Sequence, residues 1–131
     1  MTPAFSLEPG AKLEHEFTVE GRLLTDVGGT LGVRVLSTAG MIAMMEVPAT
    51  LLAAQGLPEG YGSVGFEVCV KHVAGAVEGA SCVSVATLRE VADGRKLRFD
   101  VEVREGERVI GVGTHERRVI DVAQHAGAAG G

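Results

Sequence analysis

Residues 37–55, STAGMIAMMEVPATLLAAQ, constrain this chain more than any other stretch. They are rich in Ala, Met and Leu, with Ser37 or Thr38 available as an N-cap and Gly56 just past the end, which predicts one long helix. Met41, Ile42, Met44, Met45, Val47, Leu51 and Leu52 cannot share a single apolar stripe of about 100°. Such a helix must be wrapped by other structure. Pro48 lies well inside it and removes the amide that would bond the carbonyl of Met44, so a kink is expected around Glu46.

The wrapping comes from strands. Residues 11–24 place Leu13, His15, Phe17 and Val19 on one face and Lys12, Glu14, Glu16, Thr18 and Glu20 on the other, the alternation of a half-buried strand. Thr25 to Gly32, with Gly28, Gly29 and Gly32, reads as a flexible loop. After residues 56–62, four segments carry strand character: Ser63 to Val73, Ala80 to Val91, Lys96 to Glu105 and Arg108 to Val122. Asp93-Gly94 and Glu105-Gly106 suit short antiparallel hairpins. In the third segment Leu97, Phe99, Val101 and Val103 alternate with Arg98, Asp100, Glu102 and Arg104, giving one dry and one wet face. The Gly-rich tail 123–131 and residues 1–10 are expected to fray. A strand, a loop, one apolar helix and a four-strand meander make an α+β domain: a central helix wrapped by a curved antiparallel sheet of about five strands, the hot dog architecture. The modest core and the Val-rich edge strands point to a homodimer or higher homo-oligomer.

Composition narrows the function. A chain of 131 residues is one domain, and 46% apolar with 22% charged residues is ordinary globular composition. Twelve basic against 17 acidic residues give a net charge of -5, the wrong sign for holding nucleic acid or an anionic membrane by the overall field. The sequence lacks an apolar run of the roughly 20 residues a membrane span needs, and its N-terminus lacks a signal-peptide pattern, so a cytoplasmic location is the default expectation. Cys69 and Cys82 are 13 residues apart with no CxxC partner, which suggests reduced strand residues rather than a zinc site or disulfide. No metal or cofactor is implied, and GxSxG, P-loop and HExxH patterns are all lacking.

What stands out is an acid in an apolar helix. Glu46, between GMIAMM and VPATLL, either reaches an edge, pairs with an Arg, or is a functional acid or base. His72 closes the strand GSVGFEVCVKH, where a satisfied surface imidazole and a catalytic one are both open readings. Thr38 by itself is an ordinary N-cap candidate.

Taken together, STAGMIAMMEVPA, GSVGFEVCVKH and GTHERRVID resemble the fluoroacetyl-CoA thioesterase-like family of hot dog proteins. The resemblance runs from about Lys12 to Asp121 and includes the EHEFTV opening and the His115-Glu116-Arg117 signature. It implies an acyl-CoA thioesterase whose catalytic set is Thr38, Glu46 eight residues later and His72 26 residues beyond that. It also implies that Gly65 matches a glycine of the family's site strand. Where the fluoroacetyl-specific enzyme carries a lid with Phe residues, this chain has LLTDVGGTLGVRVL and no aromatic.

In a straight helix Thr38 and Glu46 stand about 12 Å apart along the axis and about 80° around it. They cannot touch directly. Either Thr38 lies in the turn ahead of the helix with His72 nearby, the reading preferred, or Thr38 and Glu46 meet through His72, substrate or a partner subunit. The amides from Thr38 to Met41 could receive the anionic oxygen of a thioester in transition, with Gly40 and Gly65 letting backbone approach substrate. Glu46 would act as general base or nucleophile while His72 moves the proton. Lys71, Arg117 and Arg118 are candidates for CoA phosphates, or else plain solvated strand residues. Two other functions compete: a non-catalytic acyl-CoA or acyl-carrier binder, and a hot dog hydratase or dehydratase. The first has no need of Glu46, and the second lacks its Asp and His pair ahead of the helix.

Overall fold

The computed structural model describes residues 4–130; the part of the expected frayed tails at residues 1–3 and 131 lies outside the described residues. In chain order the elements are β1 (Lys12–Thr18), a 3-10 turn (Gly21–Leu23), β2 (Leu24–Thr25), β3 (Val35–Leu36), α1 (Thr38–Gly56), β4 (Tyr61–His72), β5 (Ser81–Ala92), β6 (Lys96–Glu105), β7 (Arg108–Asp121) and α2 (Val122–Gly130). The five long strands form one antiparallel sheet in the order β1-β5-β6-β7-β4, and β2 pairs with β3 in a separate ribbon.

The alternation expected of β6 is realised: Leu97, Phe99, Val101 and Val103 are buried and face the helix. Cys82, Ala86 and Leu88 of β5 join them, and Met41, Met45, Ala49, Leu52 and Ala53 of α1 close the core from above. Asp93 and Gly94 both adopt left-handed backbone, with φ of 56° and 64°, as a tight hairpin between β5 and β6 requires. α1 runs as one element through Pro48.

The four-strand meander is not what forms. β5, β6 and β7 are a meander, but β4 pairs with β7 on the far edge while β5 pairs with β1. The cause is the connection at 73–80, too long for a hairpin, which crosses the end of the sheet. It is pinned at β7 by Val73 and Ala74 amides on the Ile110 carbonyl, at β3 by the Leu36 amide on the Ala76 carbonyl, and at the end of β1 by reciprocal bonds between Val19 and residues 79–80. This strap carries the chain from one sheet edge to the other, and the chain enters it at His72, beside the start of α1.

Three other expectations change. Residues 122–130 form α2 instead of a frayed tail, and Ser6 and Gly10 are hydrogen-bonded to Gly56 and Leu88, so the described start of the chain is tied to the domain. The loop after β2 is folded on itself: Thr25 Oγ1 accepts from the Val27 amide, Asp26 Oδ1 accepts from the Gly29 amide, and the Thr30 hydroxyl donates to the Val27 carbonyl. Within one chain, α1 is covered on one side only, because a single sheet reaches one side of a helix. Ala43, Leu51 and Ala54 remain exposed and Val47 half-buried on the other side.

Helix α1 can settle on β7 because Gly111 has no side chain; a Cβ there would meet the Met41 sulfur and come within 3.1 Å of the Met45 methyl. Gly111→Ala should therefore cost about 1–3 kcal/mol through overpacking, read as a lowered urea midpoint. An unchanged midpoint would mean that the two methionines repack freely.

Candidate active site

Ser37 is the N-cap of α1. Its side chain accepts from the Gly40 amide at 2.8 Å, and its carbonyl takes the Met41 amide at 2.9 Å. Two of the four amides considered for an oxyanion are thereby occupied, leaving those of Thr38 and Ala39 in the first turn. Gly40 does permit a close approach, but Leu23 makes it: a Cβ would lie 2.8 Å from the Leu23 carbonyl oxygen and 2.9 Å from its Cα.

Thr38 is the first residue of the helix rather than part of the turn before it. His72 ends β4 opposite Gly111, a register that turns its ring toward α1. The two meet directly, with Thr38 Oγ1 and His72 Nδ1 at 2.9 Å. The other ring nitrogen, Nε2, is buried and meets no hydrogen-bond partner among the described residues.

Glu46 forms a second cluster two turns along the helix. Its Oε2 lies 3.6 Å from Arg117 Nη1 and 3.9 Å from His115 Nε2, and its side chain keeps 39% of its exposure. Gly65 makes room for it, since a Cβ at that position would stand 3.0 Å from the same oxygen. Arg117 is held from three sides: Nε donates to Ser63 Oγ at 2.8 Å, Nη2 to the Ser63 carbonyl at 2.9 Å, and Nη1 faces His115 Nε2 at 3.3 Å. Burial lowers the pKa of this guanidinium, with Glu46 opposing the shift. The cluster opens on a cleft of about 400 Å³ lined by Glu46, Val47, Thr50, Leu51 and Arg117.

Arg117 is thus not a solvated strand residue reaching for phosphates; it is buried and turned to Glu46. Lys71 is exposed, paired in register with Val112. Arg118 lies beside Phe66, its guanidinium carbon 3.5 Å from the ring centroid, and donates to Glu116 at 2.6 Å. His115 and Ser63 are the site residues to which the sequence alone assigns no role. The available signal is phase: His115 and Arg117 share the strand face that Val119 marks as dry.

Within one chain the two clusters do not meet. Thr38 and Glu46 are separated by about 12 Å of helix, and His72 and Gly65 by roughly 23 Å of strand. The end of β4 at His72 therefore carries one part of the expected set, and its stretch around Ser63 and Gly65 the other.

A long helix seated in the concave face of a five-stranded antiparallel sheet, with polar residues at the seam between them, defines a hot dog fold protein. A hot-dog-like protein from Thermanaerovibrio acidaminovorans shares that fold at a TM-score of 0.83 and 23% identity, over 92% of this chain and 89% of the other. Residues 19–123 match the model of the family described as "FlK: Fluoroacetyl-CoA-specific thioesterase", and the chain belongs to that family. The fluoroacetyl-CoA thioesterase of Streptantibioticus cattleyicolor is 40% identical over 86 residues, which are 66% of this chain and 61% of that enzyme. A solved structure of the fluoroacetyl-CoA thioesterase FlK superposes with a TM-score of 0.86 and 28% identity, covering 95% of this chain and 96% of the other. Among the described residues, no helix is long and apolar enough to cross a membrane.

The buried His115 sets a pH dependence. Desolvation lowers its pKa below the ordinary 6.5, assisted by Arg117 and opposed by the bond to the Glu67 carbonyl and by Glu46. The folded state therefore binds fewer protons than the unfolded one, and stability should fall as pH drops below about 6.5 toward the lowered folded value. Urea midpoints measured across that range should fall less in His115→Gln than in the wild type. Parallel pH profiles would contradict the assignment.

Proposed function

We propose that this protein hydrolyses a small acyl-CoA thioester to the free acid and CoA, using Glu46, His72 and Thr38 in a site completed by a second copy of the chain. The observation that carries this reading is the presence of two half-sites, Thr38–His72 and Glu46–Arg117 at Gly65, set apart along one edge strand. Family membership supports the reaction class.

A two-fold pairing supports the assembly. The exposed stretch Gly65–Cys69 lies on edge strand β4, where Phe66 keeps 58% and Val68 38% of their exposure, and the open side of α1 presents Leu51. Antiparallel two-fold pairing of two β4 strands about Cys69 sets the partner's His72 opposite the bulge at Gly65–Phe66. The partner's Thr38 then comes to the cleft beside Glu46. The same contact covers the apolar helix face left open in one chain.

In this arrangement the acyl group sits at the Glu46 cleft and the thioester carbonyl points at the amides of the partner's Thr38 and the partner's Ala39. Glu46 takes a proton from water, whose oxygen adds to the carbonyl carbon. The amides and the helix dipole favour the resulting oxyanion. Collapse breaks the C–S bond, and the partner's His72, hydrogen-bonded to the partner's Thr38, relays the proton held by Glu46 to the departing sulfur, which returns Glu46 to its carboxylate. Direct attack by Glu46, giving an anhydride that water then opens, uses the same contacts. Lys71, exposed beside His72, stands where CoA phosphates would leave the site. A purely binding role would have no use for a carboxylate held at a cleft mouth.

Selectivity among acyl groups follows from the loop between β2 and β3, which offers Val27, Leu31 and Val33 but no aromatic gate. Thiol release should be measured over acyl-CoAs from acetyl and fluoroacetyl to long-chain and aromatic. Short acyl groups should be turned over, with fluoroacetyl-CoA gaining over acetyl-CoA little more than its intrinsic reactivity. Glu46→Gln should lower turnover by about 100- to 10,000-fold in a folded protein. Wild-type turnover in that variant, or no thiol release from any acyl-CoA, would overturn the reading.

A further inference from the structure

His115 is 2% exposed, carries no role in the chemistry above, and lies at the centre of the groups that hold Glu46. Its Nδ1 is 2.8 Å from the Glu67 carbonyl oxygen, which can only accept, so Nδ1 bears the proton. In the neutral ring Nε2 is then a lone pair, and Arg117 Nη1 points at it from 3.3 Å. The ring itself is fixed by Phe99 of β6, stacked at a centroid distance of 6.4 Å and an interplanar angle of 29°. The groups facing the imidazole are thus the Glu67 carbonyl and Gly65 from β4, Arg117 from β7, Glu46 from α1 and Phe99 from β6. Of these, only Arg117 and Glu46 are charged.

Ser63 holds the Nε and Nη2 side of the guanidinium, and a guanidinium with Nη1 unengaged could still shift toward solvent through the cleft. The lone pair of His115 supplies the third point. We propose that neutral His115 is a positioning residue: by accepting an Nη1 hydrogen of Arg117 it fixes the guanidinium in the orientation that presents its charge to the Glu46 carboxylate beside Gly65. A protonated ring could not do this, because both of its nitrogens would donate and its charge would repel the guanidinium. Burial among Phe99 and the β4 backbone keeps the ring in the accepting form, in agreement with the direction of its pKa shift.

For its effect on turnover the inference rests on the catalytic reading of Glu46; for the geometry of Arg117 it does not. The test uses two variants and two readouts. His115→Asn can keep a donor to the Glu67 carbonyl but leaves no acceptor at the Nε2 position. His115→Gln places an amide oxygen near that position. In arginine-labelled protein, NMR measures rotation about the Nε–Cζ bond of Arg117, which should be slow in the wild type, several-fold faster in the Asn variant and slow again in the Gln variant. With acetyl-CoA, kcat should fall by about 10- to 100-fold in His115→Asn while KM stays within about threefold, and the Gln variant should recover most of it.

Unchanged rotation in His115→Asn would overturn the proposal. So would wild-type kcat in that variant, or equal losses in both variants. If the Asn variant does not fold, His115→Gln alone decides: near-wild-type kcat with slow rotation supports the proposal, and a tenfold loss in the folded protein sinks it. An active Glu46→Gln enzyme in which rotation still responds to position 115 would condemn the catalytic reading and leave the positioning role standing.

Discussion

The organising constraint is the carboxylate of Glu46 on an otherwise apolar helix. Left alone in a half-buried seam it would be expensive, and the structure meets that cost with Arg117, itself buried and tied to Ser63 and His115. The requirement reaches through the fold. β7 must bring His115 and Arg117 to the concave face, β4 must carry Gly65 where a Cβ would crowd the carboxylate, and Gly111 must let α1 down onto the sheet. A half-buried pair of this kind adds little net stability, because desolvation of the guanidinium offsets much of its attraction to the carboxylate. That cost is understandable if the carboxylate is used.

Much of the fold is legible in the sequence because its signals are local. The alternation in β6 and the Asp93-Gly94 hairpin are written in adjacent residues, and four of the five long strands begin and end within about two residues of the positions their patterns suggest. Strand order is not legible. Periodicity says that β4 is a strand but not which neighbour it takes, and that is decided by eight residues at 73–80 whose backbone bonds to β3, β7 and the end of β1 have no sequence signature. The tail departs from expectation for a related reason: Val122–Gly130 is poor in bulky residues, yet it follows β7 directly and its first amide bonds the Gly60 carbonyl.

The site divides in the same way. Glu46 is visible from the helix alone, as a charge where the pattern allows none, whereas Thr38 and His72 come from the family resemblance. Their direct contact depends on where β4 ends, which spacing along the chain does not fix. Arg117 looks like a solvent-facing cation in the sequence because charge by itself does not report which face of a strand it occupies. His115 shows no partner there at all. Carrying the inward phase of Val119 back along β7 finds both.

The central claim is that one chain's Glu46 works with the partner's His72. Mixing the Glu46→Gln and His72→Ala proteins under exchanging conditions tests it directly. At equal amounts half of the dimers are mixed, and each mixed dimer holds one site with both residues intact, so thiol release from acetyl-CoA should recover to about one quarter of wild type. Activity no higher than that of either variant alone, with exchange verified, would contradict the shared site.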